Sequence, residues 1–432
     1  MRFEQKIPAN EGPDFATPNV LFVSTAAPPK GSPESLQVGK YLKYLVGYPI
    51  DVYLVTEAVP KKQRGWSNME KKYQSVLTSL KQVIEVPLYR RQISALLRRV
   101  NTSVLPVTDD ALLFTKATRK VRTNLVADPD IIYSRSTPFS SAVLAMKLKR
   151  IYQVPWIMHL SDPWVVSPFF KAGGTYENYH RKLEQQCFER ADKISFTSRD
   201  QIALYENEYP RFKSKFIWFP NVFDDEEVAE ESVISHGKIR FLHTGNFYGP
   251  GRSPEPFLRA LENLYNSDKH CLDHVDCIFA GRHEKSVDEI FRKYKSIPVR
   301  HIGVLSQNEV LQLQRDSQVL IIIDWELPQE KAVFLLSKAV DYMAARKSML
   351  AITTRESTIH KFVEGVYGRC FEHHDIEGIA GHIRYLIDDC GKNDKPVQVP
   401  YQVDMNYSAS KNAQRLFELL QNLKMLKFEE SQ

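Results

Sequence analysis

A lysine in the first turn of a helix opposes the helix dipole, and this chain places one there. The stretch from Phe334 to Thr353 joins a polar helix start, Ser337-Lys338, to an apolar strand from Met349 to Ile352. Another apolar run, Val319 to Asp324, precedes it, so the whole reads as strand, helix and strand. Such a helix begins at the carboxyl edge of the first strand, where open parallel sheets bind ligands. The dipole favours an anion at that end by about 0.3–1 kcal/mol. A phosphate held jointly by the helix amides, a Ser337 cap and the Lys338 ammonium would remove the conflict. Asp341 lies on the same face and can accept hydrogen bonds from a sugar diol. The competing reading is an ordinary capped helix with an internal Lys338–Asp341 pair.

Three other groups of residues carry possible chemistry. In Val154 to Trp164, His159, Ser161, Asp162 and Trp164 fall at the carboxyl end of a short strand. A carboxylate beside an imidazole can orient or deprotonate a sugar hydroxyl, and an indole can stack on a sugar ring. Alternatively, Asp162 caps its own loop and His159 packs on the sheet. The loop Gly245 to Arg252 is rich in glycine, which lets backbone approach a diphosphate, and Arg252 can clamp it with two parallel bonds. A surface loop with a solvated arginine is the other option. Gly31 and Ser32, after the strand Val20 to Ser24, allow a similar approach or form a plain flexible loop. Asp128-Pro-Asp130 has the form of a metal-binding pair but precedes its strand, away from the expected cleft; it reads as a turn, and no metal is expected.

The elements that must position these residues repeat along the chain. Short apolar runs alternate with helical patterns in two halves, which predicts α/β architecture with two doubly wound parallel sheets. At 432 residues the chain exceeds one typical core. The predicted layout is a polar leader over 1–18, a first domain over 19–223, a polar linker from Asp224 to His236, a second domain over 237–405, and a final amphipathic helix within 406–432. A balance of 58 basic and 52 acidic residues is too mild and dispersed for a nucleic-acid binder. Five cysteines without Cys-x-x-Cys spacing suggest neither a zinc site nor a disulfide framework, and fit a cytoplasmic protein. No window approaches the roughly 20 apolar residues of a membrane span. The segment Tyr89 to Val100 brackets apolar residues with Arg90, Arg91, Arg98 and Arg99, as an element touching a membrane surface or lipid-linked acceptor would, or as a helix packed on its own sheet. Nothing indicates an oligomeric state.

The segment Leu336 to Ser348 resembles the donor-binding segment of glycosyltransferase family 4, often written Pro-Ser-Lys-x-x-Glu-Tyr-x-Ala-x-Gly-x-Pro. Leu336 replaces the first proline, Asp341 the glutamate, and Arg346 and Ser348 the glycine and last proline. Val333 stands where many members have a further glutamate. The opening Val20 to Ser32, the run Pro155 to Trp164 and the run Arg240 to Leu261 are also similar to that family. The resemblance implies the GT-B architecture, with acceptor bound by the first domain and a nucleotide sugar by the second. It implies that Asp341 holds the ribose, while Ser337, Lys338, Arg252, Gly245 and Asn246 surround the diphosphate. His159 and Asp162 then orient an acceptor resting near Gly31, Ser32 and Trp164. The implied reaction is retaining, metal-independent transfer to a saccharide or lipid-linked acceptor, with no cofactor beyond the nucleotide-sugar co-substrate. Two rivals stand beside it: a non-catalytic saccharide-binding or assembly protein that kept the fold, favoured by Val333, Asp341 and Arg346, and a sugar epimerase of similar architecture.

Overall fold

The structure, a computed structural model, describes residues 17–59, 73, 75–86, 117–170, 173–230, 238–248, 251–393 and 401–430. The leader before residue 17, the basic stretch 60–72 and the Arg90–Val100 segment lie outside the described residues.

Two wholly parallel sheets form. The first contains β1 (Asn19–Val23), β2 (Asp51–Glu57), β3 (Gln82–Val86), β4 (Ile131–Ser136), β5 (Trp156–Leu160), β6 (Lys193–Phe196) and β7 (Phe216–Trp218), in spatial order β3-β2-β1-β4-β5-β6-β7. The second contains β8 (Ile239–Thr244), β9 (Val275–Ala280), β10 (Val299–His301), β11 (Val319–Ile323), β12 (Ser348–Ile352) and β13 (Gly368–Phe371), in order β10-β9-β8-β11-β12-β13. Helices cover both faces of each sheet, which is why central strands such as Val319–Ile323 are buried along their whole length and read as unbroken apolar runs.

The strand order reverses between β1 and β4 and again between β8 and β11. Crevices open at such switch points, outside the carboxyl ends of the strands. The loops entering these crevices are those that start at Ser24, Thr137, Gly245 and Asp324. Asp128-Pro-Asp130 sits at the opposite edge: the Asp130 carboxylate accepts the Asn19 amide at 2.8 Å and the Lys424 ammonium at 3.0 Å.

The chain crosses between the domains twice. After β7 it passes through Phe223, and near its end it returns through Ser408. The two crossings are joined by a parallel bridge, in which Phe223 N–H donates to the Tyr407 carbonyl and Ala409 N–H to the Phe223 carbonyl, both at 3.0 Å. The start of the linker is tied down further. Buried Asp224 accepts from Lys43 at 2.8 Å and Tyr44 at 2.7 Å, and Asp225 accepts from the hydroxyls of Ser408 and Ser410. The last helix, Ala409–Glu430, then lies on the first sheet, burying Ala413, Leu416 and Leu420 in one cluster with Val20, Phe22, Val38 and Leu42. No helix among the described residues is long and apolar enough to cross a membrane. Cys187, Cys271, Cys277 and Cys370 are free thiols.

The fully buried Leu416 thus belongs to a core built otherwise from the other end of the chain. Leu416→Ala should cost about 2–5 kcal/mol in the unfolding transition of the first domain, read by denaturant titration of tryptophan fluorescence; a change below about 0.5 kcal/mol, the surface-substitution range, would mean that the helix does not close this core.

Candidate functional site

The site builds up from four loop ends of the two switch points. In the second domain, β8 ends at Thr244 and the chain turns sharply at Gly245, whose φ of +114° a side-chain-bearing residue rarely adopts. A Cβ there would also lie 2.9 Å from the Lys338 Nζ. The glycine is needed so that the lysine can lie against the backbone. The Asn246 carboxamide accepts the Arg282 amide at 2.9 Å, while the Glu284 carboxylate takes the amides of Phe247 and Tyr248. These three bonds hold the start of the loop in shape.

Lys338 enters from the helix Ser337–Ala344. One expectation is corrected here: Ser337 does not cap that helix. The N-cap is Leu336, whose side chain offers no acceptor, and Ser337 is the first helical residue. The helix start therefore lacks side-chain capping, so its dipole end is available to an anion. The Lys338 ammonium donates to His243 Nε2 at 3.1 Å. Burial first, and then the charges of Lys338 and Arg252, keep His243 well below its ordinary pKa, so its ring is a neutral acceptor. Burial, followed by the Arg252 charge, pushes Lys338 well below the usual lysine range, against the pull of Asp324.

Arg252 completes the group. Its guanidinium stacks over the Trp325 ring at 3.6 Å from the centroid and approaches Asp324 at 3.6 Å. The side chain is 2% exposed, yet among the described residues its Nε has no hydrogen-bond partner and its Nη2 meets only Asp324, at 3.6 Å. Asp324, at the carboxyl end of β11, is itself held by the Trp325 amide at 2.8 Å and the Thr353 hydroxyl at 3.2 Å. Two cations thus gather beside one carboxylate, in a place where leaving a buried donor unmatched costs about 1–3 kcal/mol. Gly245, Arg252 and Lys338 thus come together, while the Asn246 side chain turns to the Arg282 amide.

Asp341 is placed differently. Its carboxylate pairs with Lys40 of the first domain at 2.6 Å, and Lys40, with a side chain only 1% exposed, also donates to the Val222 carbonyl at 3.0 Å. The ordinary reading of the helix is thereby set aside, since Lys338 and Asp341 turn to different partners. Asp341 also lines a small recess with Phe223, Gln314, Arg315 and Ala344.

In the first domain, Asp162 follows β5 and faces the second domain. Burial raises its pKa to about 6, the nearby Glu34 charge adds to the rise, and the Thr137 hydroxyl, Arg135 and Arg252 pull it back. The Arg252 charge reaching Asp162 from the second domain puts the two residues on facing sides of the cleft. Beneath Asp162, Glu34 accepts from Arg135 Nε at 2.6 Å and Ser161 at 2.7 Å. Arg135 is wholly buried, its guanidinium 5.0 Å from the centroid of the Tyr41 ring.

Other first-domain expectations need correction. Trp164 offers no face to a sugar: it is 1% exposed, stacked on Phe139 at 4.7 Å, and donates its indole N–H to His180 at 3.1 Å. His159 does not reach the cleft, because it lies within β5 with its Nδ1 2.9 Å from the Ser195 hydroxyl of β6. Burial holds it well below the ordinary histidine pKa, so it is neutral. Ser32 spends its hydroxyl capping the helix Pro33–Leu45 through the Ser35 amide at 3.1 Å. Gly31 stands beside it at the loop end, half-buried. Sequence reasoning missed Asp324, His243, Trp325, Glu34, Arg135 and Lys40. For Asp324 a signal existed, an acid closing an apolar strand at its carboxyl end; for Lys40 there was none.

The domains are already in contact around this cleft. Ser198 donates to the Val333 carbonyl at 2.6 Å, Asn221 to the Leu335 carbonyl at 2.7 Å, and Phe169 packs on Trp325 and Phe334. Val333 is buried, and Glu330 points to solvent.

The sequence matches no known family model and no curated protein. Solved structures do match. The chain superposes on HepE of Anabaena in complex with UDP-glucose with a TM-score of 0.64 at 14% identity, over 94% of this chain and 100% of that one. It superposes on sucrose-phosphate synthase from Thermosynechococcus elongatus with a TM-score of 0.63 at 11% identity, over 96% and 98% of the two chains. A UDP-N-acetylglucosamine 2-epimerase gives 0.55 at 14% identity, over 93% and 95%. The chain has the GT-B fold, two parallel-sheet Rossmann-like domains facing a cleft.

Proposed function

We propose that this chain is a retaining, metal-independent glycosyltransferase that moves a sugar from a nucleotide-diphosphate donor to a saccharide or lipid-linked acceptor. One observation carries the reading: Arg252 and Lys338 share a buried corner with Asp324, and among the described residues Arg252 Nε has no hydrogen-bond partner while Nη2 meets Asp324 only at 3.6 Å. A diphosphate would supply the missing acceptors, the missing negative charge and the anion that the uncapped helix start favours. The comparisons support a sugar nucleotide by analogy of fold, since HepE was captured with UDP-glucose and with UDP.

In the proposed reaction, the glycosidic bond to the diphosphate breaks while a bond to the acceptor oxygen forms on the same face of the sugar. Negative charge grows on the leaving diphosphate, and Arg252 and Lys338 stabilise it there, in the role another enzyme would give to a metal ion. Asp162, facing Arg252 across the cleft, accepts the hydrogen bond of the attacking hydroxyl and receives its proton. Asp341 holds the ribose, which requires Lys40 to share or release its carboxylate. The interdomain contacts at Val333 and Leu335 exclude water that would hydrolyse the donor.

The epimerase among the structures of this fold supports a second reading, in which the sugar nucleotide is rearranged and not transferred. Release of free nucleotide only in the presence of an acceptor supports transfer; product formation from the donor alone supports rearrangement.

Three outcomes are expected. Lys338→Ala should lower kcat by about 10²–10³, the usual loss for one donor to a developing anion, with an unchanged circular dichroism spectrum; near-normal turnover would remove Lys338 from the reaction. Nucleotide diphosphate binding should take up a proton at Lys338, because the free amine is held below its ordinary range and an anion raises it again. Affinity then falls as pH rises between the free and bound pKa values, and calorimetry in buffers of different ionisation heat should show uptake that Lys338→Met abolishes. With the Asp162 carboxyl pushed up to about 6, log kcat/KM should climb as pH rises through that value and level off above it, and Asp162→Asn should flatten this limb.

A further inference from the structure

At the outer edge of the second sheet, three potential ligands from three elements meet at one point. His283 lies in the loop after β9, Asp288 in the helix Lys285–Lys293, and His301 at the end of β10. The Nδ1 atoms of His283 and His301 lie 3.0 and 3.1 Å from the same Asp288 oxygen, Oδ1. All three ligating atoms fall within 4.8 Å of one another. A tetrahedral zinc ion with bonds of about 2.0–2.1 Å places its ligand atoms about 3.3 Å apart, close to these spacings.

Hydrogen bonding alone fits the arrangement poorly. Both rings would have to carry their proton on Nδ1 to satisfy a single oxygen. Burial holds His301 below its ordinary pKa, so its ring has one proton for two acceptors, the Asp288 oxygen at Nδ1 and the Gly281 backbone facing Nε2. A cation bound at Nδ1 sends that proton to Nε2, where it points at backbone, the outer-shell arrangement that metal-bound histidines adopt. The ligands are also held ready. The His301 side chain is 6% exposed and packs on Phe291 at 5.1 Å and on His283 at 4.3 Å between centroids, whereas His283 is 59% exposed and opens a path from solvent.

We propose that His283, Asp288 and His301 bind a divalent transition-metal cation, with water completing the coordination. Two imidazoles and a carboxylate suit zinc or its neighbours, not calcium or magnesium. The cation ties the loop after β9 to β10, and close backbone packing carries this order towards the cleft. Gly303, with φ +78°, would place a Cβ 3.5 Å from His283 Nε2; Gly281 N–H donates to the Gly303 carbonyl at 2.9 Å; and a Cβ on Gly281 would lie 2.3 Å from the Gly245 carbonyl. The site is thus separate from the proposed transfer chemistry and props the Gly245 turn against which the Lys338 side chain lies.

The test is to strip the full chain with a chelator, dialyse it, and titrate it with zinc chloride by calorimetry and with cobalt(II) by visible absorption. One equivalent should bind, with the intense bands of a low-coordinate cobalt site. Both signals should weaken by about tenfold or more in His283→Ala and in Asp288→Asn, whose circular dichroism stays unchanged. Equal binding in the parent and both variants, or no uptake by the parent at micromolar metal, overturns the proposal. Neither result bears on sugar transfer, which is assayed separately.

Discussion

The site rests on keeping Arg252 and Lys338 together out of water. Two like charges in a shared corner repel, and burial makes the repulsion stronger than at a surface. The protein limits the cost by three means. Asp324 lies against the guanidinium, Trp325 offers it the face of a ring, and a neutral His243 takes the ammonium. None of these removes the surplus of positive charge. Burial and the Arg252 charge also push Lys338 well below its usual range, so the corner holds a fixed guanidinium charge beside an amine that an approaching anion would help to protonate.

That arrangement explains why the surrounding backbone is so constrained. Gly245 must be glycine for its dihedral angle, and Gly281 must be glycine because the Gly245 carbonyl lies where its side chain would be. The helix start at Ser337 is left uncapped, giving up about 1 kcal/mol of local stability where a ligand can restore it. Similar economy is absent from the first domain. There Glu34 takes bonds from both Arg135 and Ser161, and burial moves the Asp162 carboxyl towards neutrality beside them.

The fold was legible because its signals are local. Fully buried parallel strands announce themselves as apolar runs, and the helix between two of them follows from spacing; Val319–Ile323 and Ser348–Ile352 fall where those runs do. Lys338 was legible as an anomaly against the helix dipole. Arg252 was legible as a cation next to glycines, though not its stacking on Trp325, which only the fold brings near. The failures share a cause. Trp164 and His159 have suitable chemistry at a suitable strand end, but Phe139, His180 and Ser195 decide their burial, and no local pattern reports those neighbours. The Ser337 cap failed by one residue, the ordinary uncertainty of a helix boundary. Lys40 reaches Asp341 from the far end of the chain, so the pair belongs to domain packing and leaves no trace in either segment.

The double crossing at Phe223 and Ser408 sets how these domains can move. A single connecting strand would leave one body free to swivel about the other. Two strands bridged side by side act as a flat strap, which folds across its width far more easily than it twists about its length. A spine of this kind favours opening about one axis over swivelling, like the cover of a book.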